Sequence, residues 1–134
     1  MGTRSITTIL NEEGEILLKL YRQFDGYFEG HGKELADFLK RLKLCNGISR
    51  ETSETHANGM QCLAAQIVAH FKTCIGSIYI TPASAEEEEF NYVIYTGSDY
   101  AEEGIKMKAG GYNNNFDGAP SEFDVFLDTL AEED

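Results

Sequence analysis

The residue types best suited to chemistry cluster near the start of the chain. Arg4, Arg22, Gln23, Asp25, Tyr27 and His31 lie there, the last four within a stretch interrupted by Gly26, Gly30 and Gly32. A glycine-rich approach to a helix start can receive an anion, because the first turn of a helix presents unpaired N–H groups and positive potential. Arginine adds a planar fork of donors suited to carboxylate or phosphate. Tyr21, Phe24, Tyr27 and Phe28 surround the same turn. They can stack on a nucleobase, or they can close the edge of a core. On strand parity Arg22 belongs with Leu18 and Leu20, on an apolar face or its rim. A partly buried guanidinium needs a partner, and Asp25 or a ligand anion would serve. Of the three histidines, His31 is the one to test as acid, base or ligand contact. His70 falls beside an apolar helix stripe and reads as a helix-surface residue.

Other chemistries have weaker support. Gly30-His31-Gly32-Lys33 suggests a phosphate loop, but Tyr27 occupies the first glycine position and Glu34 the position of the required Ser or Thr. The stretch is therefore either a ligand loop of another kind or a strand-to-helix turn. There is no Gly–x–Ser–x–Gly elbow. A Cys45–His56 pair has no local support. Residues 113–118 are rich in Asn and Asp but lack the acidic spacing of a calcium loop. No catalytic residue, metal or cofactor is assigned. The cysteines, Cys45, Cys62 and Cys74, are odd in number and form no metal-ligand motif. They point to a reducing compartment, and Cys62 is expected in the core.

Charge is unevenly distributed. The 134 residues carry a net charge of −12. Residues 1–80 hold nine basic and nine acidic residues, whereas residues 81–134 hold two basic and fourteen acidic. Part of the excess is the Glu86–Glu89 run and part the Glu132–Asp134 tail, which read as solvated segments or as an acidic interaction surface. The balance argues against an extended nucleic acid or an anionic membrane as partner. It leaves room for a single small anion near the neutral first part. No apolar run has the ~18 residues of a membrane span, and the first residues have neither the signal-peptide nor the myristoylation pattern.

The elements that must position these residues can be read from periodicity. Residues 5–10 and 15–24 form a hairpin around Asn11-Glu12-Glu13-Gly14. A helix from about Lys33 to Leu42 buries Leu35, Phe38, Leu39 and Leu42. A polar segment, 44–58, is long for a loop and suggests a mobile or ligand-facing stretch. A second helix, 59–73, carries the stripe Met60, Leu63, Ala64, Ile67, Val68 and Phe71. Strands are expected over 76–81, 90–96 and 104–108, a turn over 110–115, and a terminal helix opened by Pro120 and capped by Ser121. The order is ββααβββα. It predicts one α+β domain over residues 1–134, with an antiparallel sheet of about five strands and helices on one face.

Gly2-Thr3-Arg4-Ser5, Tyr21-Arg22-Gln23-Phe24-Asp25-Gly26-Tyr27 and Gly30-His31-Gly32 together resemble a family of small uncharacterised phage and prophage proteins. Its members begin with a GTRS-like segment and carry a YRQ-x-DGY-x-x-GHG-like stretch. No settled activity goes with the family. The resemblance implies a virus-linked protein in the cytoplasm of a host cell. Three functions follow. The first is a binding protein that sequesters a small anionic, nucleotide-like ligand such as a host immune signal, through Arg4, Arg22, Gln23, Asp25, Tyr27 and His31, a function compatible with a homo-oligomer that places its pocket between subunits. The second is an acidic inhibitor or nucleic-acid mimic acting on a basic host protein through residues 86–134. The third is a small nucleotide hydrolase using His31 or Asp25. The first is preferred.

Overall fold

In a computed structural model, the structure describes residues 2–48, 52 and 54–132. The fold is α+β. Its main sheet has six strands, β1 (Ser5–Leu10), β2 (Ile16–Arg22), β5 (Tyr79–Thr81), β6 (Phe90–Tyr95), β7 (Lys106–Gly111) and β8 (Asn114–Gly118), in the spatial order β5-β2-β1-β6-β7-β8. The expected hairpin is β1–β2, with Thr7 opposite Leu20 and Ser5 opposite Arg22. Two features depart from the sequence reading. The sheet has six strands rather than about five, and β1 pairs parallel with β6. The parallel pair arises because the chain leaves β2, forms its helices, adds β5 to the outer edge of β2, and returns on the far side of β1.

Strand alternation divides the sheet into two faces. Ile9, Leu20, Tyr92, Ile94, Met107 and Ala109 share one face and are buried. They join one core with the apolar stripes of α1 (Lys33–Leu39), α2 (Gly59–Phe71) and α4 (Phe123–Glu132). The opposite face carries Lys19, Tyr21, Asn91 and Val93. Residues 82–89 cross it on their way to β6: Lys19 Nζ donates to the Ala85 carbonyl at 2.8 Å, and the Asn91 amide exchanges hydrogen bonds with the Glu88 backbone. The acidic run is thus a strap over the second sheet face.

Several local expectations change. The 44–58 segment is not a free loop throughout, because β3 (Lys43–Cys45) and β4 (His56–Asn58) pair in parallel as a separate small sheet. Residues 49–51 and 53 of that segment, and Glu133 and Asp134 of the acidic tail, lie outside the described residues. Cys62 is exposed rather than buried, its Sγ 3.3 Å from Gln66 Oε1. Met60, Leu63, Ala64, Ile67 and Phe71 occupy the buried face of α2, and position 62 falls on the other side. A short helix, α3 (Tyr100–Glu103), precedes β7. The Gly110-Gly111 pair lies within β7, and the turn follows at Tyr112 and Asn113, both at positive φ. Residues 114–118 form a strand, so the Asn/Asp segment is a sheet edge and not a cation loop. Before α4, the Glu122 carboxylate rather than Ser121 accepts a terminal N–H, from Ala119 at 2.9 Å.

The link between β2 and α1 is one turn of π-helix, Phe28–Gly32. It is held by Gly32 N–H to Tyr27 O at 3.3 Å and by His31 N–H to Asp25 O at 2.8 Å. The turn folds back so tightly that a Cβ at Gly30 would lie 2.4 Å from the Asp25 carbonyl oxygen. A Cβ at Gly32 would lie 2.9 Å from the Tyr92 hydroxyl and 3.0 Å from Phe123 Cζ. These glycines are required by close approach to backbone and packed rings. Gly30→Ala must move the backbone and is expected to lower stability by about 1–3 kcal/mol, the usual effect of overpacking. Urea denaturation of the variant measures this loss.

Candidate functional site

The π-turn points His31 into the protein. Its side chain is 3% exposed, with ring contacts to Phe71 at 5.0 Å and Tyr92 at 5.8 Å between centroids. Both ring nitrogens have polar neighbours. Nε2 lies 3.4 Å from Thr7 Oγ1 on β1, and Nδ1 lies 2.9 Å from Arg22 Nη1 at the end of β2. Arginine can only donate, so Nδ1 is the acceptor and the proton of the neutral ring sits on Nε2, facing Thr7. Burial lowers the His31 pKa and the Arg22 charge acts in the same direction, opposed by the hydrogen bond and charge of Glu34. The neutral ring therefore fits its surroundings.

Arg22 is fixed from several directions. Nη1 also donates to Glu34 Oε1 at 2.5 Å, and Nε donates to the Phe24 carbonyl at 2.7 Å. Glu34 sits three residues beyond His31, in the first turn of α1. Its carboxyl is lowered to about 2 by a hydrogen bond from His31 when that ring is protonated on Nδ1, and by hydrogen bonding and charge from Arg22, against the opposing effect of burial. It is an ionised carboxylate with its side chain 51% exposed. The Nη2 group of Arg22 makes no hydrogen bond with other described residues.

Arg22 and Glu34 form part of the wall of a groove of about 530 Å3. Phe24, Phe71 and Ile75 contribute apolar surface, and the loop of residues 73–77 completes the lining with His70. Phe24 is 57% exposed and Ile75 97% exposed, so both present large apolar surfaces to solvent. The loop is closed on itself: Ser77 Oγ donates to Phe71 O and accepts from the N–H groups of Thr73 and Cys74. Lys72 adds an ammonium to this loop, donating to Cys74 O at 3.1 Å.

The sequence-chosen residues do not share one surface. Arg22 lines this groove and His31 lies buried behind it. Tyr27 lines a different groove, with Phe28, Phe90 and Tyr112. Asp25 is not the partner of Arg22. Its side chain accepts from the Tyr27 hydroxyl at 3.4 Å and its carbonyl holds the π-turn, at a left-handed φ of 58°. Arg4 is exposed near the strap, where its N–H donates to Glu89 Oε1 at 3.2 Å. Gln23 is half-buried, its backbone close against Gly2. Glu34, His70, Phe71 and residues 73–77 were not among the expected site residues. The His31–Glu34 spacing of three, on one helix face, is the signal that could have found Glu34. The 73–77 loop has no comparable signal.

Elsewhere, Glu89 is committed to structure, accepting from Tyr112 Oη at 2.7 Å as well as from Arg4. His70 is exposed on α2 and stacks on Phe38 at 4.2 Å. Cys45 donates to Ala57 O at 3.5 Å and His56 Nδ1 meets Thr55 Oγ1 at 2.8 Å. Among the described residues, no group of three or more His, Cys, Asp or Glu is arranged to hold a metal, and no helix is long and apolar enough to cross a membrane.

No protein-family model, curated protein or solved structure matches the chain.

The buried ring makes stability depend on pH. The unfolded chain protonates His31 near 6.5, whereas the folded chain resists protonation until a lower pH. The stabilising contribution is complete above 6.5 and is lost as pH falls through the folded-state value. Over that interval the slope approaches about 1.4 kcal/mol per pH unit. Glu34, shifted from 4.5 to about 2, adds a second acid-side loss between those values. In urea titrations, the difference in unfolding free energy between neutral and mildly acidic pH should shrink in His31→Gln. Glu34→Gln should abolish the second loss and, by removing a charge that favours protonated His31, extend the His31 loss to lower pH.

Proposed function

We propose that this chain is a binding protein for a small nucleotide-like ligand, whose ring lies in the groove formed by Arg22, Phe24, Glu34 and the 73–77 loop. The observation that carries the reading is the state of Arg22. Its guanidinium is clamped by His31, Glu34 and the Phe24 carbonyl while remaining part of the groove wall. A donor fixed in place loses little freedom when a ligand accepts from it. The exposed Phe24 ring beside it offers a stacking face, a contact worth about 1–3 kcal/mol per base in nucleotide sites.

The pairing of Arg22 with Glu34 refines the ligand. A phosphate placed directly on Arg22 would also meet the Glu34 carboxylate, so the pair suits a neutral ring edge better than an anion. The anionic end is better directed toward the loop carrying the Lys72 ammonium. Sequestration of a nucleotide signal in a virus-infected host cell is the biological form of this reading, and that part rests on the resemblance to phage proteins.

Calorimetric titration of the full chain with GMP, AMP and ADP-ribose tests the reading, alongside mass spectrometry of small molecules released on denaturation. At least one nucleotide is expected to bind without being turned over. Phe24→Ala should weaken that nucleotide by about tenfold, the lower part of the stacking range, without altering the melting temperature. No binding by any of the three and nothing released, or binding indifferent to Phe24→Ala, would overturn it.

A further inference from the structure

The groove presents two fixed groups of opposite hydrogen-bonding character side by side. Arg22 has five N–H hydrogens. Three are used: Nε–H by Phe24 O, and the two on Nη1 by His31 Nδ1 and Glu34 Oε1. The two on Nη2 remain for a ligand. Glu34 can only accept while ionised, and one Arg22 hydrogen bond leaves most of its lone pairs open. Neither group can readily exchange roles. The guanidinium has no acceptor, and the carboxylate is stabilised as an anion by Arg22. A ring edge that fits must therefore offer an acceptor beside one or more donors, in that order.

Resting on the nucleotide-binding reading above, we infer that the Arg22–Glu34 pair selects guanine among the purine bases. The guanine edge carries O6, N1–H and N2–H in sequence. O6 accepts from Arg22, while N1–H and N2–H donate to the two oxygens of Glu34, a bidentate match with charge on the protein side. Adenine reverses the first two positions. Its N6 amino hydrogens face the guanidinium and its N1 lone pair faces the carboxylate, leaving donors against a donor and an acceptor against an acceptor. Such mispairing of fixed polar groups discriminates more strongly than loss of apolar contact. Hypoxanthine keeps O6 and N1–H but lacks the N2 amino group, so it forfeits one of the two hydrogen bonds to Glu34. Phe24 and Ile75, both highly exposed on the same groove, provide apolar surface for any purine and do not select among them.

The test is the order of affinities of GMP, IMP and AMP for the full chain by calorimetry, in wild type and in Glu34→Gln. Wild type should bind GMP at least about tenfold more tightly than AMP, with IMP between them, since each hydrogen bond to a charged group is worth about one order of magnitude or more. Glu34→Gln replaces one carboxylate oxygen by a donor and should remove most of the GMP preference. The IMP comparison needs no variant, so it stands even if Glu34→Gln perturbs the fold. Equal affinity for GMP and AMP, or a preference that survives Glu34→Gln in a folded protein, would overturn base selection. If AMP then binds as well as GMP and both weaken in Phe24→Ala, nucleotide binding stands without guanine selection. Absence of binding by all three overturns this inference, and ADP-ribose decides whether the broader reading falls with it.

Discussion

A buried imidazole must have both of its nitrogens satisfied, and much of the first third of the chain is arranged around that requirement. An unpaired buried polar group costs about 1–3 kcal/mol, a large part of the net stability of a domain this size. The His31 ring reaches from the π-turn to Thr7 on β1 and Arg22 on β2. It therefore ties the hairpin to the start of α1. The turn must be tight enough to direct the ring inward, and its backbone consequently passes against Asp25 O, the Tyr92 ring and Phe123. The glycines on either side of His31 follow from this path.

The same constraint decides what Arg22 does. As an ion pair with a half-exposed carboxylate, Arg22–Glu34 adds little stability, because water screens the charges and competes for the donors. Its hydrogen bond to His31 is different, because that acceptor is buried. Thus the guanidinium is held in place chiefly by the core behind it, and Glu34 is held by the guanidinium. The order of dependence runs outward, from Thr7 to His31 to Arg22 to Glu34. A polar pair anchored in this way keeps its geometry at the groove wall without relying on its own weak attraction.

The sequence pattern made the α+β class, the β1–β2 hairpin and the three longer helices legible, since each rests on local periodicity. Leu35, Phe38, Ile67 and Phe123 fall in the core where their spacing places them. What escaped depends on contacts between distant segments. The parallel β1–β6 pair joins strands some 85 residues apart in sequence, Ser5 to Phe90, and no local pattern encodes that choice. Cys62 was drawn inward by its residue type, whereas its place on α2 faces outward. At the site, Arg22 and His31 were legible as unusual residues, but the partner of Arg22 was not. Asp25 is nearer in sequence, yet its left-handed backbone leads into the turn and its carbonyl serves His31. Glu34 reaches Arg22 because one turn of π-helix and the start of α1 bring it back over the end of β2.

The uneven charge also takes on a structural meaning. A chain of net charge −12 makes a poor scaffold for a nucleotide if its carboxylates surround the groove. They do not all act there. The Glu86–Glu89 run belongs to the strap over the second sheet face, with Glu89 bound by Tyr112 and the Arg4 backbone, while the groove lies by the end of β2 and the 73–77 loop. Charges separated by more than a Debye length, about 8 Å at physiological salt, are largely screened from one another. Arg22 and Glu34 are the charged groups that line the groove itself, and the Lys72 ammonium lies against Cys74 O of its 73–77 loop. Arg22 and Glu34 cancel in net charge, and what they leave is a direction: donors on one side and acceptors on the next. That ordering, rather than net positive charge, is what the proposed nucleotide binding asks of an acidic protein.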